Sequence, residues 1–203
     1  MSVILMLSVV MNMLGVEPGA FFSEKIEKGW VGAPVIKTGE LADHPRLFLG
    51  AQAGWILNHK LTLGGKGYFT LNPLLSGNPD EFSAGFACLG IQTEYLLSSY
   101  RNFSVTLENM IGAGNFYTSL THEAGQHEST ADLCFILEPG IKMNLNLFQN
   151  LQLSAGVDYR FINGMNHPEN SKNDGFQQQN FKNFTDADIE GWSFQLEIRL
   201  GKF

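Results

Sequence analysis

Residues 190–203, Glu190-Gly191-Trp192-Ser193-Phe194-Gln195-Leu196-Glu197-Ile198-Arg199-Leu200-Gly201-Lys202-Phe203, divide into two chemically opposite sets at a two-residue repeat. Trp192, Phe194, Leu196, Ile198 and Leu200 make one set; Ser193, Gln195, Glu197 and Arg199 make the other. Successive side chains of a strand point to opposite faces, so this segment reads as extended chain with one face in an apolar medium and one in a polar medium. A helix, with 3.6 residues per turn, would scatter both sets around its axis.

The same alternation recurs upstream in residues 29–37, 46–58, 60–72, 82–98, 103–116, 132–148 and 151–161, which with the last segment makes eight strands. Pro34 marks the first as irregular, because proline cannot donate to a ladder, and the stretch from Phe86 to Leu89 is less regular than its surroundings. Tight reversals are expected at Asn58-His59, at 99–102 and at Gln149-Asn150. They alternate with long connections at 38–45, 73–81, 117–130 and 163–189, rich in Asn, Gly, Pro, Asp and Gln. Short turns at one end and long loops at the other, with an even number of strands, predict an all-β fold: an eight-stranded antiparallel up-and-down transmembrane β-barrel with short periplasmic turns and long extracellular loops.

Parity alone does not say which face is wet, since a soluble lipocalin-like carrier has the opposite polarity to a membrane barrel. Two features favour the membrane. The polar faces hold Lys66, Glu94, Glu108, Glu138, Lys142, Asp158, Arg160, Glu197 and Arg199, five acids against four bases at strand centres. Such a near-balance suits ion pairs filling a narrow lumen. The other face is aliphatic and aromatic, with Trp55 and Tyr95 near the tight turns and Tyr159, Phe161 and Trp192 near the long loops, positions for two interfacial girdles.

Composition agrees. Charged residues are 16% of the chain, aromatics 12%, and Gly numbers 22, a mix that suits Gly-rich strands. The formal charge of -7, without any basic run, argues against a nucleic-acid binder, whose affinity rests on clustered Lys and Arg. The apolar run from Val3 to Val10, extended by Met11, Met13 and Leu14, is shorter than the ~20 residues of a helical span. Followed by Glu17-Pro18-Gly19-Ala20, it reads as a signal peptide over 1–20, although no Lys or Arg precedes it; a retained hydrophobic segment is the alternative. A short lead, 21–28, and the barrel, 29–203, follow. Cys88 and Cys134 fall on strands separated by another strand, which favours free thiols over a disulfide.

Gly54-Trp55-Ile56-Leu57-Asn58-His59-Lys60, Ile111-Gly112-Ala113-Gly114, Leu137-Glu138-Pro139-Gly140 and Tyr159-Arg160-Phe161 resemble segments of the small outer-membrane β-barrel proteins of Gram-negative bacteria, in particular members with no characterised activity. The resemblance covers roughly 29–203. It implies an outer-membrane location and an eight-stranded architecture without implying an activity. It also implies that the terminal Phe203 is the assembly signal shown to the barrel-assembly machinery. That signature keeps the aromatic in phase with the outward residues, whereas Phe203 is one position out of phase with Ile198 and Leu200; a bulge at Gly201-Lys202 would restore the phase, and without one the signal is degraded.

Signals for chemistry are weak. His122-Glu123 and His127-Glu128 are metal-ligand types without a fixed spacing, and read as a solvated loop. Gly64-Gly65-Lys66-Gly67 lacks the full phosphate-loop spacing and its Ser or Thr, and reads as barrel wall. No nucleophile, base and acid set is legible, though a loop-end site using His167 stays open. No enzyme activity, metal or cofactor is expected, and the partners expected are the lipid bilayer, the assembly machinery and a surface ligand of unknown nature, with a monomeric barrel. The leading expectation is contact or recognition through the loops, chiefly 163–189; a small solute pore and a secreted carrier of an apolar ligand are the alternatives.

Overall fold

The computed structural model describes residues 27–41, 44–71, 74–75, 81–121, 127–164 and 185–203. The expected signal peptide lies outside them. Eight barrel strands follow one another: β1 (Lys28–Leu41), β2 (His44–Leu57), β3 (Leu61–Thr70), β4 (Glu81–Tyr100), β5 (Phe103–Thr121), β6 (His127–Phe148), β7 (Leu151–Asn163) and β8 (Gly191–Lys202). A two-residue strand, Leu74–Leu75, extends the ladder beside β4 at Ser83 and Ala84. A single helical turn, α1 (Asp186–Ile189), precedes β8. Each strand pairs antiparallel with the next, and β1 pairs with β8, so the sheet closes on itself. Closure leaves no strand edge, which is what allows strands to cross a bilayer. No helix among the described residues is long and apolar enough to cross one.

The turns follow from local chemistry. Asn58 and His59 both take positive φ, 49° and 55°, as a tight reversal between twisted strands demands. Glu27, just ahead of β1, braces this turn: Asn58 N–H donates to the Glu27 carbonyl at 3.0 Å, and His59 Nε2 meets the Glu27 carboxylate at 2.7 Å. Arg101 has φ 53° in the second turn, and register shifts at Leu96/Ser98 and Asn146/Phe148 place bulges beside the second and third.

The strand faces divide by medium. On β8, Trp192, Phe194, Leu196, Ile198 and Leu200 are exposed while Ser193, Gln195, Glu197 and Arg199 are buried. Equivalent apolar rows clothe the barrel elsewhere, including Leu47 and Leu49 on β2, Leu89 and Ile91 on β4, and Leu133, Phe135 and Ile141 on β6. This inverted polarity removes the soluble carrier, which needs the apolar rows inside.

Three features correct the sequence reading. β1 is regular over 14 residues despite Pro34; its pairing with β2 is unbroken, and only the β1–β8 ladder skips Ala33 and Pro34 opposite Ile198 and Arg199. Proline therefore turns its missing N–H toward β8, and the Ile198 carbonyl alone loses a ladder donor. Second, strand persists beyond the expected loop boundaries: β1 runs to Leu41 and β2 starts at His44, while β5 reaches Thr121 and β6 starts at His127. Beyond the hydrocarbon both faces meet water, so alternation is no longer enforced there although the ladder continues. The longest connection is still the one between β7 and β8. Third, β8 pairs with β1 in unbroken register through Leu200, Gly201 and Lys202, with no bulge there, while its ladder with β7 ends at Leu200.

Replacing Leu196, 57% exposed, by Arg puts a charge on the lipid-facing wall. Leu196→Arg is expected to weaken insertion by ~2–4 kcal/mol near the bilayer midplane, read as a shift of the urea midpoint for folding into phospholipid vesicles.

Candidate functional site: the charged lumen and the two ends of the barrel

All nine charged residues assigned to the polar face are buried inside the barrel. Lys37 joins them, fully buried, so that among the described residues five acids meet five bases. Sequence reasoning missed Lys37 because it ended the first strand there; carrying the repeat through Pro34 would have put Lys37 in phase with Val31, Ala33 and Val35, which all point inward.

The charges form two sets. In the set nearer the turns, Lys142 Nζ lies 2.5 Å from both Glu94 and Glu108 and 3.2 Å from Glu197. Lys66 pairs with Glu108 at 2.9 Å, and Arg199 Nη2 donates to Glu94 at 2.6 Å. Carboxamides take the remaining lone pairs: Gln52 donates to Glu197 at 2.9 Å, Gln92 to Glu108 at 2.7 Å and Gln195 to Glu108 at 2.7 Å. Three cations and three carboxylates thus neutralise one another. In the set nearer the loops, Lys37 Nζ reaches Glu138 at 2.9 Å and Asp158 at 2.7 Å, and Tyr68 donates its hydroxyl to Glu138. Arg160 Nε stands 4.0 Å from Glu138, making this set neutral as well.

Neutrality within each set is a physical requirement, because an unpaired ion in a water-poor interior costs several kcal/mol. Glycine makes the room. Gly156 faces Lys142 across the β6–β7 ladder, and a Cβ there would come within 2.5 Å of the Lys142 Cγ. The run Gly64-Gly65-Lys66-Gly67 is barrel wall, as its reading in the sequence has it: a Cβ on Gly64 would meet the Ala53 carbonyl at 2.1 Å, and Lys66 points into the lumen.

Above the charges, toward the loops, the lumen turns apolar. Leu41, Phe48, Phe86, Met110, Phe116, Ile136 and Ile162 are buried there, with Ile189 of α1 inserted among them. Arg160 sits at the boundary, fully buried, its guanidinium 5.1 Å from the ring centres of both Phe48 and Phe86 and donating to the Glu40 carbonyl at 3.2 Å. Two anchors fix α1: Asp188 accepts from the Thr185 backbone at 2.7 Å, and Glu190 accepts from the Ile162 backbone at 3.1 Å. Cys88 and Cys134 are free thiols in this cap, on strands either side of β5.

Below the charges, a polar cavity of about 190 Å³ opens at the turn end, lined by Thr106, Asn144, Gln152 and Phe203 among others, and stops at Glu94 and Arg199. Phe203 therefore lies on the inward side, its ring 6.0 Å from the Arg199 guanidinium. The outward phase that the assembly signature requires is absent at that residue.

The girdle residues divide between the ends. Trp55, 66% exposed, stands beside Trp30 across the β1–β2 ladder at the turn end, with Tyr95 half-buried there. At the loop end Tyr159 packs on Phe161 at 4.6 Å and on Trp192 at 5.2 Å. His127 and Glu128 fall within β6, whereas His122, Glu123 and His167 lie outside the described residues.

Lys142 is the hub whose loss strands three carboxylates at once. Lys142→Met is expected to lower unfolding free energy by about 3–5 kcal/mol, measured by urea titration in vesicles.

No family model matches the chain, and no curated protein does. Solved structures do resemble it. The attachment invasion locus protein Ail of Yersinia pestis, in complex with the heparin analogue sucrose octasulfate, is 14% identical with a TM-score of 0.54, over 86% of this chain and 97% of that one. Neisserial surface protein A is 13% identical with a TM-score of 0.54, over 89% and 100%. A major outer membrane protein from Thermus thermophilus is 10% identical with a TM-score of 0.57, over 85% and 99%. The chain has the eight-stranded up-and-down fold of these outer-membrane barrels, and its apolar exterior around a charged interior sets it in that membrane.

Proposed function

We propose that the protein is a closed, non-catalytic outer-membrane barrel that acts at the cell surface through the connection between β7 and β8, in contact or recognition. The observation that carries this reading is the packing of the lumen: two neutral ion-pair sets under an apolar cap occupy the path a solute would take. An eight-stranded barrel is just wide enough for its own side chains, so transport is the weaker assignment. That leaves the loop end. There, 20 residues, 165–184, join Gly164 to the anchored turn at Thr185.

The composition of that segment narrows the ligand. It carries Glu169 and Asp174 against Lys172 and Lys182, many Asn and Gln, and Phe176, Phe181 and Phe184. A polysulfated ligand such as the one bound by the Yersinia protein calls for clustered cations, which are missing from this segment. Carboxamides with aromatic rings suit a neutral saccharide or a polar protein surface instead. The barrel's other contacts are the bilayer and the machinery that inserts it.

Two measurements test this. In planar bilayers the purified barrel is expected to stay silent under applied voltage; steady single-channel steps would replace this reading with a pore. Exchanging 165–184 for a short Gly-Ser linker is expected to leave insertion intact and abolish attachment of barrel-displaying cells to arrays of neutral glycans and matrix proteins. Undiminished attachment would assign recognition elsewhere.

A further inference from the structure

Among the described residues, the lipid-facing wall is interrupted at mid-depth by a polar pair, Asn109 beside Thr93, of which the membrane reading leaves Asn109 unexplained. Asn109 lies on β5 between Leu107 and Ile111, which are exposed, and its chain neighbours Glu108 and Met110 are buried in the lumen. The ladder therefore turns Asn109 outward, where it is half-buried. It stands six positions beyond Phe103, the first residue of β5 after the turn at Arg101-Asn102. At about 3.4 Å per residue and a strand tilt of about 40°, that is roughly 15 Å above the turn, in the middle of an apolar band about 25 Å tall.

At this depth neither water nor lipid supplies a hydrogen-bond partner, since ester and hydroxyl groups sit at the interface. The barrel supplies none either. Thr93 Oγ1 donates to the Asn109 backbone carbonyl at 3.5 Å, and the carboxamide itself, with two N–H donors and an acceptor oxygen, has no partner among the described residues. Pro139, its lateral neighbour on β6, offers only a ring. A polar side chain bare in hydrocarbon is costly, and such positions mark contacts within the membrane.

We propose that Asn109 centres an interface between two copies of this chain, β5 against β5 about a two-fold axis, each carboxamide donating an N–H to the oxygen of the other. A carboxamide is its own complement, carrying donor and acceptor side by side, so a two-fold contact satisfies both groups with one residue type. At mid-depth only protein can provide the partner, and a second copy presents the same group at the same height. The surrounding wall suits close approach, because the residues paired with Asn109 across the two ladders are Thr93 and Pro139, both compact. A dimer thus replaces the monomer expected from sequence.

The test uses the full barrel refolded into phosphatidylcholine vesicles, with energy transfer between two terminally labelled pools followed as lipid is added. Asn109→Leu is expected to raise the apparent dissociation constant by about ten- to a hundredfold, and Asn109→Gln to keep most of the association. Asn109→Cys is expected to form disulfide-linked dimers under mild oxidation, and Ile36→Cys on β1, on the opposite wall, is not; the native thiols are enclosed in the lumen. A chain that is monomeric at every dilution, or an Asn109→Leu variant that associates as strongly as the parent, overturns the interface. Urea-resistant insertion is scored separately: a barrel that inserts and stays monomeric removes this inference alone, whereas one that fails to insert removes the membrane assignment on which it rests.

Discussion

Lys142, held by Glu94, Glu108 and Glu197, shows the constraint under which the rest of the chain is built. Eight strands close on a lumen only as wide as the side chains that fill it. Every charge sent inward by alternation must find its counter-charge there, because too little water remains to solvate it. Outside and inside are thus coupled. A strand can present Phe194, Leu196 and Ile198 to lipid only if Gln195, Glu197 and Arg199 are stable facing one another. The carboxamides of Gln52, Gln92 and Gln195 make this possible, since each carboxylate oxygen needs more donors than the lysines alone provide.

How much of this was legible in sequence depends on which medium each residue meets. Residues 192–200 were readable because hydrocarbon and a polar lumen act on alternate positions at once. Phe86 to Leu89 was not, because there the lumen itself turns apolar: Phe86 and Cys88 point inward while Leu89 faces lipid, so both sets look hydrophobic. Lys37 was hidden by Pro34, which signals a strand break although it removes only one hydrogen bond. Parity could place Lys66 and Glu108 on one surface, but their pairing across 42 residues follows from register and height, which a two-residue repeat does not encode. The same applies to Phe203, whose inward position was decided by the absence of a bulge.

The interior is zoned along its axis, and the zoning bears on what each end can do. An apolar cap closed by Ile189 lies toward the loops, two neutral charge sets lie below it, and the polar cavity of about 190 Å³ opens only at the turns. Arg160 joins the first two zones, its charge offered to Glu138 and its flat faces to Phe48 and Phe86. Guanidinium can serve both because it is weakly hydrated and stacks on aromatic rings, where an ammonium of similar reach would demand more hydrogen bonds. The loop end of the barrel is therefore separated from the turn end by packed side chains.

Pro34 and Pro139, the prolines at mid-strand, show how the wall tolerates defects under the same constraint. The β6–β7 ladder skips Glu138 and Pro139 opposite Tyr159 and Arg160, just as the β1–β8 ladder skips Ala33 and Pro34 opposite Ile198 and Arg199. In both cases the partner on the other side, β5 or β2, pairs without a break, so each ring removes one donor and no more. Both rings point outward, where they extend the apolar belt instead of displacing a lumen charge. An inward proline would forfeit a position in a network whose charges balance one another residue by residue, so the outward face is where this fold can absorb a missing N–H.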